Sequence, residues 1–185
     1  NHVTINNLKV IVSGSTGGVG SIAVKLLSSL GAKVTAITGK KNSDQYLYNL
    51  GSSKIIQREN FLNSTRLPLS KGIYNAAVDA VGGNILSAIL ASMQYNGIIT
   101  ACGNVAGANF ATTVFPFILR KNHLIGIDSA TCPISIREKI WNKFSTSWNL
   151  KNLDQIYKVI DLDFLEKEIK KILSGKQVGR IIVRL

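Results

Sequence analysis

The stretch Gly14-Ser15-Thr16-Gly17-Gly18-Val19-Gly20 constrains this chain more than any other part of it. It follows a short β-branched run, Lys9-Val10-Ile11-Val12-Ser13, and precedes apolar residues at helical spacing from Val19 to Leu30, where Gly31 stops the pattern. The reading is strand, tight turn, helix. Glycine lets the backbone turn sharply and lets a ligand approach with no Cβ in the way. Unpaired N–H groups and the positive end of the helix dipole then face that ligand and favour an anion, above all a pyrophosphate. A glycine-rich turn alone is weak evidence and can be purely structural. After the first strand of a repeated βαβ pattern it becomes a strong sign of a dinucleotide site.

The chain supplies that repeat. Residues 33–38 read as a second buried strand, 45–50 as a helix closed by Gly51, and 54–56 as a third strand. Residues 61–72, with Pro68 and little periodicity, read as a connecting loop with room for one helical turn. Residues 75–81 form a fourth strand ended by Gly82-Gly83, 85–93 a helix, 97–102 a fifth strand, 114–121 a helix with Pro116 in its first turn, and 124–128 a sixth strand. This alternation predicts an α/β Rossmann fold: a doubly wound, parallel six-stranded sheet with helices on both faces. After Pro133 the pattern changes to two amphipathic helices, 135–148 and 162–173, with a shorter helical piece near 153–157 and a last strand at 180–185. Residues 1–185 are therefore expected to be one domain, with its core in 8–130 and the C-terminal helices and final strand in 131–185.

Composition narrows the function. A hydrophobic content of 45% over 185 residues allows one well-buried core and leaves too little chain for two ordinary domains. No window approaches a membrane span, and residues 1–8 lack the basic start and apolar middle of a secretory signal, so a cytoplasmic protein is expected. The chain has no initiator Met and reaches its first strand by Lys9, which points to a piece of a longer protein. Cys102 and Cys132 have neither zinc-knuckle spacing nor disulfide density and read as buried structural thiols. His2 and His123 stand apart from any carboxylate or Cys pattern, so no metal is expected. The net charge of +12 raises the question of nucleic acid. Lys40-Lys41, Arg120-Lys121 and Lys170-Lys171 are the only adjacent basic pairs and no aromatics interleave them, so no nucleic-acid partner is expected. Attraction of polyanionic small molecules explains the charge as well.

An NAD-specific site places Asp or Glu at the end of the second strand, where it bonds the ribose 2′-hydroxyl. Here that strand ends Ile37-Thr38-Gly39-Lys40-Lys41. A hydroxyl and two cations stand where a carboxylate would repel a 2′-phosphate, so NADP(H) is the expected cofactor.

Further blocks carry a family likeness. Ala76-Ala77-Val78-Asp79-Ala80-Val81-Gly82-Gly83, Ala101-Cys102-Gly103, Thr112 to Arg120 (TTVFPFILR) and Gly126-Ile127-Asp128-Ser129 resemble the acrylyl-CoA reductase group. That group lies within the quinone oxidoreductase branch of the medium-chain dehydrogenase/reductase superfamily. The likeness runs from about residue 8 to 183, and TTVFPFILR and GIDS are more specific than the glycine turn.

The resemblance implies a zinc-independent reductase. Hydride would pass from the nicotinamide to the β-carbon of acryloyl-CoA, giving propionyl-CoA. It also implies an N-terminal catalytic domain ahead of this chain, without which the chain would bind cofactor and not turn over. By the same resemblance Gly17, Gly18 and Val19 would meet the pyrophosphate, Thr38 and Lys40 the 2′-phosphate, and Ser15 and Thr16 would belong to the same cofactor site. Arg58 would sit by the adenosine, and Val81, Gly82, Cys102 and Gly103 would line the cleft near the nicotinamide and its ribose. No catalytic residue is assigned: Cys102 is expected to pack, and Asp79 and Asp128 to bond loop N–H groups beside the cleft. Gln57 and Lys40 depart from the residues commonest there. Lys in place of Arg gives up bidentate geometry and keeps the charge.

The partners implied are an acyl-CoA or a quinone and, through the sixth strand, a second copy of the chain. The final strand, 180–183, is expected to lack a partner sheet. The alternatives are a quinone or aldehyde/alcohol oxidoreductase using the same cofactor, and a non-catalytic module that senses NADP(H) or binds RNA.

Overall fold

In the computed structural model, which describes residues 5–185, the first run is strand β1 (Lys9–Val12). His2 lies outside the described residues. Helix α1 (Gly18–Ser29), β2 (Lys33–Thr38), α2 (Asp44–Asn49), β3 (Lys54–Gln57), α3 (Arg58–Ser64), β4 (Tyr74–Asp79), α4 (Gly83–Ser92), β5 (Met93–Ala101), α5 (Phe115–Ile118) and β6 (His123–Gly126) follow. The six strands form one sheet in the order β3-β2-β1-β4-β5-β6, all neighbours parallel. This is the doubly wound Rossmann-like α/β fold.

Side chains alternate across a strand, and here both faces are covered. Ile11 and Ile37 turn to one face with Ala77 and Ile99, under Phe61 of α3 and Ile85, Leu86, Ile89 and Leu90 of α4. Val10, Val12, Val34 and Ala36 turn to the other, against Val24 of α1 and Leu47 of α2. The order of strands reverses direction between β1 and β4, so the loops leaving those two strands diverge and open a crevice at their carboxyl ends.

Several elements differ from expectation. Part of the stretch read as a loop is helical in α3, which a seven-residue helix with Phe61 as its one buried anchor is too short to announce by periodicity. Helix α4 stops at Ser92, because Met93 is already extended (φ −73°, ψ 148°) and begins β5, with a register shift opposite Tyr74 and Ala76. Helix α5 has four residues, shorter than the expected 114–121.

The C-terminal part holds α6 (Ile134–Ser145), β7 (Tyr157–Asp161), α7 (Leu165–Leu173) and β8 (Arg180–Arg184), with short 3-10 turns at Leu153–Gln155 and Leu162–Phe164. Strand β7 is a correction, since helix alone was expected around it. It pairs in parallel with β8, Tyr157 opposite Arg180 through Asp161 opposite Arg184, so the last strand is not left without a sheet. Five residues of mixed polarity read as a strand only once a partner satisfies their backbone. Glu168 of α7 is buried beneath this pair and accepts from Lys171 at 2.7 Å and Lys158 at 3.3 Å. The Lys171 bond above all holds its carboxyl below the usual range. Among the described residues no helix is long and apolar enough to cross a membrane.

Candidate functional site

A cleft of about 1300 Å³ opens at the β1/β4 divergence. Its floor is the glycine turn. The Gly17 amide donates to Gly14 O at 2.8 Å, which closes the turn and leaves α1 to start at Gly18 with no acidic residue in its first turn. Its first amides are thus available to an anion.

One wall comes from the end of β2. The backbone amide of Lys40 donates to Thr38 Oγ1 at 3.0 Å, and Ser43 Oγ donates to Lys40 O at 2.9 Å, which fixes the loop. The Lys40 ammonium reaches across the cleft to Thr16 Oγ1 at 2.8 Å. Arg58, the first residue of α3, lies so close over Gly39 that a Cβ there would come within 2.8 Å of its guanidinium. Burial, and then the Arg58 charge, hold Lys40 below the ordinary lysine value. Among the described residues no Asp or Glu lines the cleft. Two cations set together without a carboxylate form a site for a compact, highly charged anion.

The opposite wall was invisible to sequence reasoning. The loop into β8 brings Lys176, Gln177, Val178 and Arg180 to the cleft. The Gly179 amide donates to Thr16 O at 2.8 Å, and Gly17 and Gly179 form an isolated parallel bridge. Gly179 has φ +66°, and a Cβ there would strike the carbonyl oxygen of Ile156, so glycine alone fits. The Arg180 guanidinium lies over Gly18, in the space a Cβ would fill. The only local signal was a basic loop bracketed by Gly175 and Gly179, and nothing in it pointed to residue 16. Tyr46 also joins the lining, its hydroxyl donating to Ser21 Oγ at 2.7 Å.

Of the residues singled out from sequence, Thr16, Gly17, Gly18, Val19, Thr38, Lys40, Arg58 and Val81 line this cleft. Ser15, Gly82, Cys102 and Gly103 stand outside that lining. Ser15 is buried and donates to Val12 O at 2.7 Å, while Gly82 is buried as the N-cap of α4. Gly103 packs on the backbone of Ala80. The reading of both cysteines as buried is corrected: Cys102 is exposed and Cys132 half-buried, because each sits in a loop past the sheet edge. The Cys102 thiol leans on Asp79 O at 3.4 Å, and desolvation there, followed by the Asp79 charge, holds it above the usual value. That is the wrong direction for a nucleophile.

The two aspartates bond loops. Asp79, fully buried, accepts from Ser13 Oγ at 2.5 Å, Gly82 N at 2.9 Å and Val81 N at 3.3 Å. Asp128 closes a turn, accepting from the Ala130 amide at 3.0 Å and the Thr131 amide at 3.2 Å.

The family profile described as zinc-binding dehydrogenase matches residues 18–146. The Bacillus subtilis (strain 168) protein YhfP, provisionally named a quinone oxidoreductase, is 41% identical over 95% of this chain and 54% of its own length. Its crystal structure with NAD bound superposes with a TM-score of 0.92, covering 100% of this chain and 56% of that one. The acrylyl-CoA reductase AcuI of Ruegeria pomeroyi is 36% identical over 94% of this chain and 53% of its length. The yhdH oxidoreductase of Salmonella enterica, crystallised with NADP, superposes with a TM-score of 0.91 at 36% identity, over 97% of this chain and 55% of that one. The chain thus spans about half the length of the relatives it matches. The family description implies zinc, but the described residues bring no three His, Cys, Asp or Glu side chains together. They do not fit a zinc centre.

Proposed function

This chain belongs to the zinc-binding dehydrogenase family, and from that premise we propose that it is the NADPH-binding domain of a reductase acting on an activated carbon–carbon double bond, acryloyl-CoA being the first substrate to test. When bound, the cofactor supplies a hydride from its nicotinamide ring. The acceptor would be the β-carbon of an enoyl thioester, and the α-carbon would take a proton from solvent to give the saturated thioester.

This chain's part is binding and orientation. The cradle at Gly17 and Gly18, free of any Cβ, and the first amides of α1 would hold the pyrophosphate, with Arg180 closing over it. Thr38, Lys40 and Arg58 would hold the 2′-phosphate. Val81, on the far side of the turn, would border the nicotinamide end.

One observation carries the choice of NADPH: Arg58 lies over Gly39 and the Lys40 ammonium bonds Thr16 across the same cleft, which among the described residues has no lining carboxylate. A relative with NAD bound sets the other possibility. Calorimetric titration with NADPH and NADH decides between them. NADPH is expected to bind at least about tenfold more tightly, as a charge-assisted phosphate pair provides. Equal affinities sink the reading.

The name of YhfP favours a second reading, a quinone reductase on the same cofactor. Assay of the full-length protein on acryloyl-CoA and on quinones separates the two. The edge strand β6 exposes Ile125, with Ile127 just past its end exposed as well, and is the surface through which two copies would pair into a continuous sheet. Sedimentation of the wild type against Ile125→Lys tests that dimer.

A further inference from the structure

At the point where the strand order reverses, the loops leaving β1 and β4 turn away from each other. No ladder of backbone hydrogen bonds can hold two diverging loops at a fixed spacing, so a side chain must do it. The last such contact of the ladder is Ser13 N to Val78 O at 3.0 Å. Beyond it, among the described residues, the hydrogen bonds between the two loops run through Ser13 and Asp79. The Ser13 hydroxyl donates to Asp79 Oδ1 at 2.5 Å and accepts from the Ala80 amide at 3.0 Å. The carboxylate takes the amides of Val81 and Gly82, and the Asp79 carbonyl takes the amide of Cys102 at 2.9 Å. Ser13 and Asp79 are both fully buried. Next to this knot, Gly14 (φ +58°) and Val81 are so close that a Cβ on Gly14 would lie 3.1 Å from Val81 Cγ2.

We infer that Asp79 is a positioning residue for the proposed cofactor: through Ser13 it locks the glycine turn to the Val81 turn, so that both ends of one extended dinucleotide are met at once. The inference rests on the NADPH reading above. All three of its side-chain partners are donors, and a carboxylate is acceptor-only at neutral pH. Asparagine has the same shape and puts an NH2 group against one of those donors. Asp79→Asn therefore slackens the lock while filling the same space, and Ser13→Ala removes the bridge while leaving the loop amides bonded to Asp79.

The test compares two ligands on the same protein. NADPH needs both the glycine turn and the Val81 turn, whereas 2′,5′-ADP engages only the glycine turn and the Lys40 side. Asp79→Asn and Ser13→Ala are expected to weaken NADPH about tenfold, the loss of one hydrogen bond to a charged group, and to leave 2′,5′-ADP within about twofold. Melting temperatures are recorded alongside. If both variants lose both ligands in parallel, or lose neither, the positioning role is overturned. Should Asp79→Asn fail to fold, Ser13→Ala carries the same comparison. Failure of the wild type to bind either ligand overturns the NADPH reading instead, so the two ideas fail separately.

Discussion

Residues 9–126 shut apolar side chains away on both faces of a sheet, with Ile11, Val12, Val24, Val34, Ile89 and Leu90 at 0% exposure. Beyond residue 126 the buried residues are Ile156, Ile160, Glu168 and Gly179, and α6 buries none. Trp141 and Ile134 on that helix are each 70% exposed, and Leu173 on α7 is 82% exposed. Yet both regions build the cleft. The first does so by burial, which sets where the carboxyl ends of its strands lie. The second is attached by few points: Ile156 in the core cluster with residues of α1 and α2, the Gly179 amide on Thr16 O, and the Arg180 guanidinium over Gly18. A ligand wall can thus be held by a handful of directional contacts, where a fold needs a continuous apolar core.

The contrast breaks most readily on stability. Leu90→Ala should cost about 3 kcal/mol in denaturant unfolding, the usual result of emptying a fully packed site. Trp141→Ala should stay within about 0.5 kcal/mol, as exposed positions do. Comparable losses would mean that the C-terminal part is folded into the core more deeply than its exposure implies.

Next in size is charge at the β2 end. Lys40→Glu should weaken NADPH by about a hundredfold and leave NADH nearly unchanged, since one attraction is removed and one repulsion added. Titration of both cofactors reads it directly. The attachment of the second wall is tested by Gly179→Ala, which places a Cβ against Ile156 O at positive φ. It should raise the NADPH dissociation constant about tenfold while moving the main unfolding transition little, because the strain falls on a backbone contact within the C-terminal part and not on the packed faces of the six-stranded sheet. A large drop in melting temperature with unchanged binding would reverse the roles assigned to the two regions.

The smallest effect expected is in pH. The free protein holds Lys40 below its ordinary value, and a phosphate favours the protonated ammonium. NADPH affinity is then complete below the lowered value and declines as alkali removes that proton, while Lys40→Arg should flatten the profile. Cofactor titrations across the alkaline range measure it, with NADH as the insensitive control.

Legibility followed the same divide. The glycine turn, the βαβ rhythm and the two-cation end of β2 could be read from the chain because each is a local pattern that ordinary backbone physics makes unambiguous. Helix α3 escaped because one buried Phe61 is too little periodicity, and β7 because five residues do not declare a strand until β8 lies beside them. The Asp79 carboxylate was expected to bond loop amides, and it does. Its tie to Ser13 was not legible, since only the meeting of β1 and β4 brings those residues together.

By itself the sequence determined the class of fold, the position of the anion cradle on α1 and the absence of a carboxylate at the end of β2. Each depends on residues within a few positions of one another. Only the tertiary structure decided that Gly179 and Arg180 face Gly17 and Gly18, and that Asp79 joins two diverging loops. Those pairings join residues far apart in the chain, and it is packing of the two sheet faces, not any local preference, that brings their ends into reach.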